Sequence, residues 1–307
     1  MATGESNETI ATMVSFSIDD GKTFSPGAQV SINGTGDSTN ITTPTIALGG
    51  GKTFIAYNQD ESACASDGTQ CLRSAYLASG GATGAPFTLE LLHDGIDALH
   101  GGSIISAGRT LGLAVDSAGV PGVVATASYG DGAEKVEFFR PGKTGVLVMD
   151  TLNTQNDDGS ASLVFDGLNP RALSRINDGK NGNENGNLVF ASSSDAGATW
   201  STPMLLPLDS QSVDTPYVEV ILTDGKGGVV ILSQSTDTHD YPLAGPKFWR
   251  SSDLKTFTLG SAGPTTGAVP KGEYISGALT AAGKIRMVMH GDLPVLSSSG
   301  VLYWSEP

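Results

Sequence analysis

Apolar residues fall in short runs rich in Val, Ile, Phe, Tyr and Thr, and Gly, Asn, Asp or Ser interrupts each run within a few positions. Long stretches with apolar residues at i, i+3 and i+4 are absent, so the pattern predicts strands throughout and almost no helix. Two such runs around a Gly-bearing turn make a hairpin, and the hairpin recurs five times. The copies are Thr45–Tyr57, Leu111–Val124, Ser162–Leu173, Tyr217–Leu232 and Tyr274–Met289, with starts 66, 51, 55 and 57 residues apart.

A polar connection and a third strand follow every hairpin, at 72–78, 136–140, 188–192, 248–251 and 301–305, and the first four copies continue into a fourth strand. Repeats of this length and strand count are the blades of a β-propeller. The expected fold is therefore all-β, a single propeller of four-stranded antiparallel blades over 1–307, with residues 1–8 disordered or extraneous. Five hairpins argue for five blades. Thr9–Ser17 and Ala28–Ile32 read as a further third and fourth strand with no hairpin before them, which keeps six open. These strands are expected to complete the C-terminal blade and close the ring, removing exposed sheet edges.

The most specific local signal lies between third and fourth strands. Ser17, Asp19, Gly21, Thr23 and Phe24 fit Ser-x-Asp-x-Gly-x-Thr-Trp/Phe, as do Ser193, Asp195, Gly197, Thr199 and Trp200. A third copy, Ser251–Phe257, is one residue shorter and lacks the Gly. These turns resemble the Asp-box of sialidase-like (BNR-repeat) β-propellers. The resemblance implies a scaffold role on the face opposite the binding site, with the aromatic packed between neighbouring blades. In physical terms Asp19 and Asp195 can accept backbone N–H bonds within their own turns, and Gly21 and Gly197 supply positive φ. The sialidase resemblance also implies an arginine triad beginning in an early Arg-Ile-Pro motif, a Tyr–Glu nucleophile pair and an Asp acid/base. Here the first of seven arginines is Arg73, and Arg-Ile-Pro does not occur.

Composition narrows the function further. The chain has 41 Gly and 15 Pro in 307 residues, above average usage but below low-complexity levels, and 38% hydrophobic residues suffice for a core. Lys and Arg number 17 against 32 Asp and Glu, a net charge of −15. Nucleic acid and anionic membranes are thus excluded as expected partners, since both require clustered cations. No apolar run reaches the ~20 residues of a membrane-spanning helix. Cys64 and Cys71 stand close together without further metal ligands nearby, so a disulfide pinning their loop is the reading that fits, with two free thiols as the alternative. A disulfide places the protein outside the cell, in a periplasm or on a cell surface.

The connections after each second strand carry the candidate chemistry. They begin with Asp60 and Glu61; Tyr129 and Asp131; Asp178; Asp237, His239, Asp240 and Tyr241; and His290 and Asp292. Arg175 lies just before the third of them, and connections between blades add His93 and His100. Such a rim can hold Ca²⁺ through oxygens, a transition metal through His93, His100, His239 or His290, or sugar hydroxyls through Asp and aromatics. Two carboxylates across the axis can also serve as acid and base in glycoside hydrolysis. Against all of these stands ordinary turn chemistry, which also uses Asp and Asn. The expectation is a non-catalytic recognition or scaffold module, requiring no cofactor, with a glycan, protein or metal ion on an acidic loop face. It would be a monomer or part of a longer surface protein. A glycoside hydrolase on the same face is the alternative, and a purely structural surface domain the third reading. A site on the loop face requires the five Asp-bearing connections to share one face, opposite the Ser-x-Asp turns.

Overall fold

A computed structural model describes residues 12–31, 41–60, 73–82, 84–93, 96–97, 103–104, 106–107, 111–128, 134–151, 161–177, 186–207, 216–235, 247–261, 275–293 and 298–306. Among them every regular element is a strand. Each predicted hairpin forms and starts its own antiparallel sheet. Sheet 1 contains Ile41–Gly49, Lys52–Asp60, Arg73–Gly81 and Gly84–His93; sheet 2 contains Gly112–Val115, Pro121–Ser128, Glu134–Phe139 and Val146–Thr151. Sheet 3 follows with Ala161–Asp166, Asn169–Asn177, Gly186–Ser192 and Met204–Leu205, and sheet 4 with Pro216–Thr223, Val229–Ser235, Lys247–Ser251 and Thr258–Ser261. Sheet 5 has three strands, Ile275–Leu279, Ile285–Leu293 and Ser298–Ser305. A short strand, Ser106–Ala107, ties sheet 2 to sheet 1 by pairing with Ala127 and Ser128 and, in parallel, with Arg73.

The N-terminal strands differ from expectation. Met13–Val14 and Ala28–Gln29 pair with each other as a separate two-stranded sheet, and do not join sheet 5. Val14 and Val30 pack on Ile55, Tyr57, Tyr76 and Ala78, so the pair lies against sheet 1. It keeps the third-and-fourth-strand geometry that its turn imposes, and so occupies a sheet position of its own.

Burial on both faces explains why the second strands read as unbroken apolar runs. Along each strand, alternate residues face the preceding and the following sheet. Phe54, Ala56 and Leu77 of sheet 1 meet Leu113, Val123 and Ala125 of sheet 2. Val124 and Phe138 of sheet 2 meet Leu163, Phe165 and Ala172 of sheet 3. Leu173 and Phe190 continue the series onto Ile221 and Ile231 of sheet 4, and Val230 and Leu232 continue it onto Ile285 and Met287 of sheet 5. First strands of successive sheets are neighbours, so they lie innermost.

The turns between first and second strands form a continuous chain along one face. A Cβ on Gly50 would stand 3.0 Å from Gly119 Cα, linking sheets 1 and 2 at a position where both residues must be glycine. Ser117 N–H donates to Gly167 O at 3.0 Å, joining sheets 2 and 3. Gly227 approaches Asp166, joining sheets 3 and 4, and Arg250 Nη1 donates to Gly283 O at 3.0 Å, joining sheets 4 and 5. Strand register places the third-to-fourth turns on this face too, because Ser192 pairs with Arg171 and Ser251 with Val229.

The two Ser-x-Asp-x-Gly-x-Thr turns have nearly the same hydrogen bonds. Ser17 Oγ donates to Asp19 Oδ1 at 2.8 Å, Thr23 N–H to Oδ1 at 2.9 Å and Thr23 Oγ1 to Oδ2 at 2.6 Å. At the second turn, Ser193, Thr199 N–H and Thr199 Oγ1 make the same bonds to Asp195 at 2.8, 2.8 and 2.6 Å. In the shortened copy Asp253 Oδ1 takes the N–H of Lys255 and Thr256, so the carboxylate still closes the turn. Trp200 packs edge-on against Phe138 of the preceding sheet, and Phe257 against Phe190 in the same way. Phe24, which the sequence places in the same role, is exposed.

Two consequences are measurable. Gly21 and Gly197 both have positive φ, but a Cβ at Gly21 meets nothing, whereas one at Gly197 collides with the Phe138 ring. In urea unfolding Gly21→Ala should cost about 1–2 kcal/mol of backbone strain, and Gly197→Ala roughly 1–3 kcal/mol more from overpacking. Threonine hydroxyl, threonine N–H and serine hydroxyl donors hold Asp19 and Asp195 at about 2, below the ordinary 3.8. Backbone N–H groups of Thr256 and Lys255 do the same for Asp253. Their stabilisation is complete above the ordinary value and is lost as pH falls from 3.8 toward about 2. The thermal midpoint should therefore drop across that window, and Asp19→Asn with Asp195→Asn should flatten the drop.

Candidate functional site

If the Ser-x-Asp turns occupy one face, the second strands must end at the other. They end at Asp60, Ser128, Asn177, Ser235 and Leu293, opposite the linked turns. The second strands therefore all end at a single face. Glu61, Tyr129, Asp131, Asp178, Asp237, His239, Asp240 and Tyr241 lie outside the described residues, as do His100, Cys64 and Cys71.

Strand register brings the remaining candidates together. Ala56, Val124, Leu173, Leu232 and Val288 occupy one rung, paired with Leu77, Phe138, Phe190, Phe248 and Tyr303 of the third strands. Two residues nearer the loop face, the equivalent positions are Asn58, Thr126, Arg175, Gln234 and His290. All five are polar, whereas the rung below is apolar. Arg175 and His290 were candidates from sequence; Asn58, Thr126 and Gln234 were not. Two residues further still, Asp60 and Asp292 share a position on the second strands of sheets 1 and 5.

Burial makes this layer costly without partners. Asn58, Gln59, Ser74, Thr126, Ser174 and Ser233 are all buried beneath the loop face. Gln59 Oε1 and Thr126 Oγ1 have no hydrogen-bond partner among the described residues. Buried polar oxygens of this kind normally accept or donate a hydrogen bond.

The linked-turn face is committed to structure. Arg140 Nη1 donates to Asp116 Oδ2 at 2.7 Å, and its guanidinium lies 4.6 Å from the Phe165 ring of the next sheet. Burial opposes ionisation of Asp116, but the Val120 N–H and Arg140 outweigh it and hold the carboxyl below its ordinary value. Arg171 donates to Pro170 O and Ser193 O, and burial lowers its pKa while Asp166 partly offsets that. Arg250 bridges Gly283 O and Glu306. Three of the seven arginines thus serve as struts away from the loop face.

His93 ends the fourth strand of sheet 1 at the loop face. Its ring packs edge-on against Phe139 of sheet 2, with Nε2 3.9 Å from Glu137 Oε2, so it sits between sheets and not on an open rim. Among the described residues no three His, Cys, Asp or Glu side chains gather as a metal site. No helix among them is long and apolar enough to cross a membrane.

No family model matches the chain, and no curated protein matches it. Solved structures do. Trypanosoma rangeli sialidase in complex with the inhibitor DANA superposes over 98% of this chain and 50% of its own, with 14% identity and a TM-score of 0.56. The chain has a sialidase-like β-propeller fold. A mutant of the NanB sialidase from Streptococcus pneumoniae aligns over 98% of this chain and 64% of its own, at 13% identity and a TM-score of 0.53. Penicillium chrysogenum α-L-arabinanase complexed with arabinobiose aligns over 81% and 77%, at 11% identity and a TM-score of 0.53. The propeller thus spans about half to two thirds of the length of these sialidases.

Proposed function

We propose that this propeller is a non-catalytic glycan-recognition module whose ligand sits on the loop face, over the buried polar layer. The observation that carries the reading is the set of polar residues Asn58, Thr126, Arg175, Gln234 and His290 at equivalent positions on the five second strands. Neutral hydrogen-bonding side chains suit sugar hydroxyls, and one guanidinium adds a partner for a carboxylated sugar. Propellers of similar fold that are named sialidase or arabinanase act on glycans, which supports the ligand class. The Ser-x-Asp turns fit the Asp-box resemblance as scaffold, because their carboxylates are saturated by their own turns. The Cys64–Cys71 reading adds an exported setting, whether extracellular, periplasmic or at a cell surface.

Hydrolysis is the second reading, favoured by the matching positions of Asp60 and Asp292, two carboxylates on different sheets. Calorimetric titration with sialyllactose and with arabino-oligosaccharide separates the two. Recognition predicts saturable binding without product release, and Arg175→Ala should weaken binding of the carboxylated ligand by roughly 10–100-fold. Lys143→Ala, on the turn face, should change nothing. Product release abolished by Asp60→Asn or Asp292→Asn would establish the hydrolase instead, and no binding to either sugar would sink both.

A further inference from the structure

The junction between sheets 4 and 5 departs from the pattern of struts on the linked-turn face. In sheet 2 the turn after the first strand folds around a carboxylate, and Asp116 Oδ1 accepts the N–H groups of Ala118 and Val120, both at 2.9 Å. Asp116 Oδ2 and the Val120 carbonyl then accept from Arg140 Nη1 at 2.7 and 3.1 Å. Sheet 4 builds the same turn. Asp224 Oδ1 accepts the N–H groups of Lys226 and Gly228 at 2.8 and 2.9 Å, and Asp224 N–H donates to Gly228 O as Asp116 N–H does to Val120 O. An arginine stands at the matching place too. Arg140 follows Phe139, the partner of Val123, and Arg250 follows Trp249, the partner of Ile231.

Arg250 nevertheless does not join Asp224. The difference lies in the next sheet: Arg140 is 4.6 Å from the Phe165 ring of sheet 3, whereas register puts Leu279 of sheet 5 at the position of Phe165. Arg250 reaches instead to Gly283 O and Glu306, and its side chain is 35% exposed against 14% for Arg140. A groove of about 350 Å³ is left between the two sheets, lined by Asp224, Arg250, Ser251, Ser252, Thr256 and Gly283. Asp224 is exposed, and among the described residues its Oδ2 has neither a hydrogen bond nor a cation. Gly228 stands where sheet 2 has Val120, and a Cβ there would lie 2.7 Å from Asp224 Oδ2 and 3.1 Å from Ser251 O. The glycine thus leaves these oxygens uncovered. Lys226, two residues away, makes no ion pair among the described residues. Arg109, Lys180 and Lys271 lie outside the described residues, in connections whose flanking strands end toward the loop face.

We infer that this groove is a binding site for a cationic group, a guanidinium or a primary ammonium, which takes beside Asp224 the place that Arg140 fills beside Asp116. The ligand donates to Asp224 Oδ2 and Gly228 O, the acceptors that match those of Arg140. Because Asp224 is exposed, the ion pair alone is weak. The Ser252, Thr256 and Thr258 hydroxyls along the groove supply further hydrogen bonds. A net charge of −15 draws cationic ligands toward the protein. An arginine side chain of a peptide and an amino sugar both carry such a group. The site lies on the face opposite the proposed glycan layer, so each reading stands or falls without the other.

The test titrates the full chain with N-acetyl-arginine amide, its neutral citrulline analogue and a glucosamine tetramer, following backbone amides by NMR. At least one of the two cations should bind saturably, shift the amides of 224–228 and 251–256, and lose affinity as salt is raised. The tighter of the two identifies the source of the group, and the citrulline analogue should not bind. Asp224→Asn keeps the Oδ1 acceptor that closes the turn but puts an amide donor in place of Oδ2. It should melt close to the wild type and weaken binding by at least about tenfold. Asp20→Asn, which removes an exposed acid from another turn of the same face, should bind normally. The proposal fails if neither cation binds, if the citrulline analogue binds equally well, or if the shifts centre away from the groove. It also fails if Asp224→Asn binds as the wild type does.

Discussion

Sheet-on-sheet burial of alternate side chains is the constraint from which the rest of this molecule follows. A half-buried sheet would alternate apolar and polar residues, but the second strands here must be apolar on both sides. Runs such as Val229–Leu232 exist because Val229 and Ile231 meet one neighbour while Val230 and Leu232 meet the other. Small residues are forced where sheets converge. Gly50 and Gly119 touch at the turns, and Gly122 lies under the Phe138 and Phe165 rings. Shape is thus set by neighbours across each interface, with little contribution from intrinsic strand preference.

The two faces divide the work. One is closed by short, self-satisfied turns in which Asp19 and Asp195 exhaust their acceptors on Ser and Thr of their own motif. Arginines there act as struts between sheets, as Arg140 does by joining Asp116 to the Phe165 ring. Toward the other face the apolar runs stop, and a buried polar layer takes their place. A scaffold that is rigid at one end leaves its other end free to carry chemistry.

The fold was legible because its signals are local and repeated. Each hairpin shows its turn glycine and its apolar runs, and the Ser-x-Asp-x-Gly-x-Thr spacing encodes its own hydrogen bonds. The fate of the N-terminal strands was not legible. Their sequence marks them as third and fourth strands, but only the packing of Val14 and Val30 tells which sheet they lie against. Aligning the five hairpins on their turns would have put Asn58, Thr126, Arg175, Gln234 and His290 in one column. Loop composition such as the Asp-rich connections is conspicuous in a sequence, whereas a Thr or Asn that folding buries is not. His93 shows that a loop-end histidine can be taken up between sheets by a ring such as Phe139.

Among the described residues each core cluster joins sheets that are neighbours in sequence, which has a consequence for how the array comes apart. Stability in such a chain is nearly a sum over adjacent interfaces, as in linear repeat proteins. Sheet 3 contributes to clusters on both sides, while among the described residues sheet 5 contributes to one cluster alone. Cooperativity is therefore graded along the sequence, and local opening should begin at the last sheet and work inward. The same gradient lets an end unit fray and re-form without melting the centre.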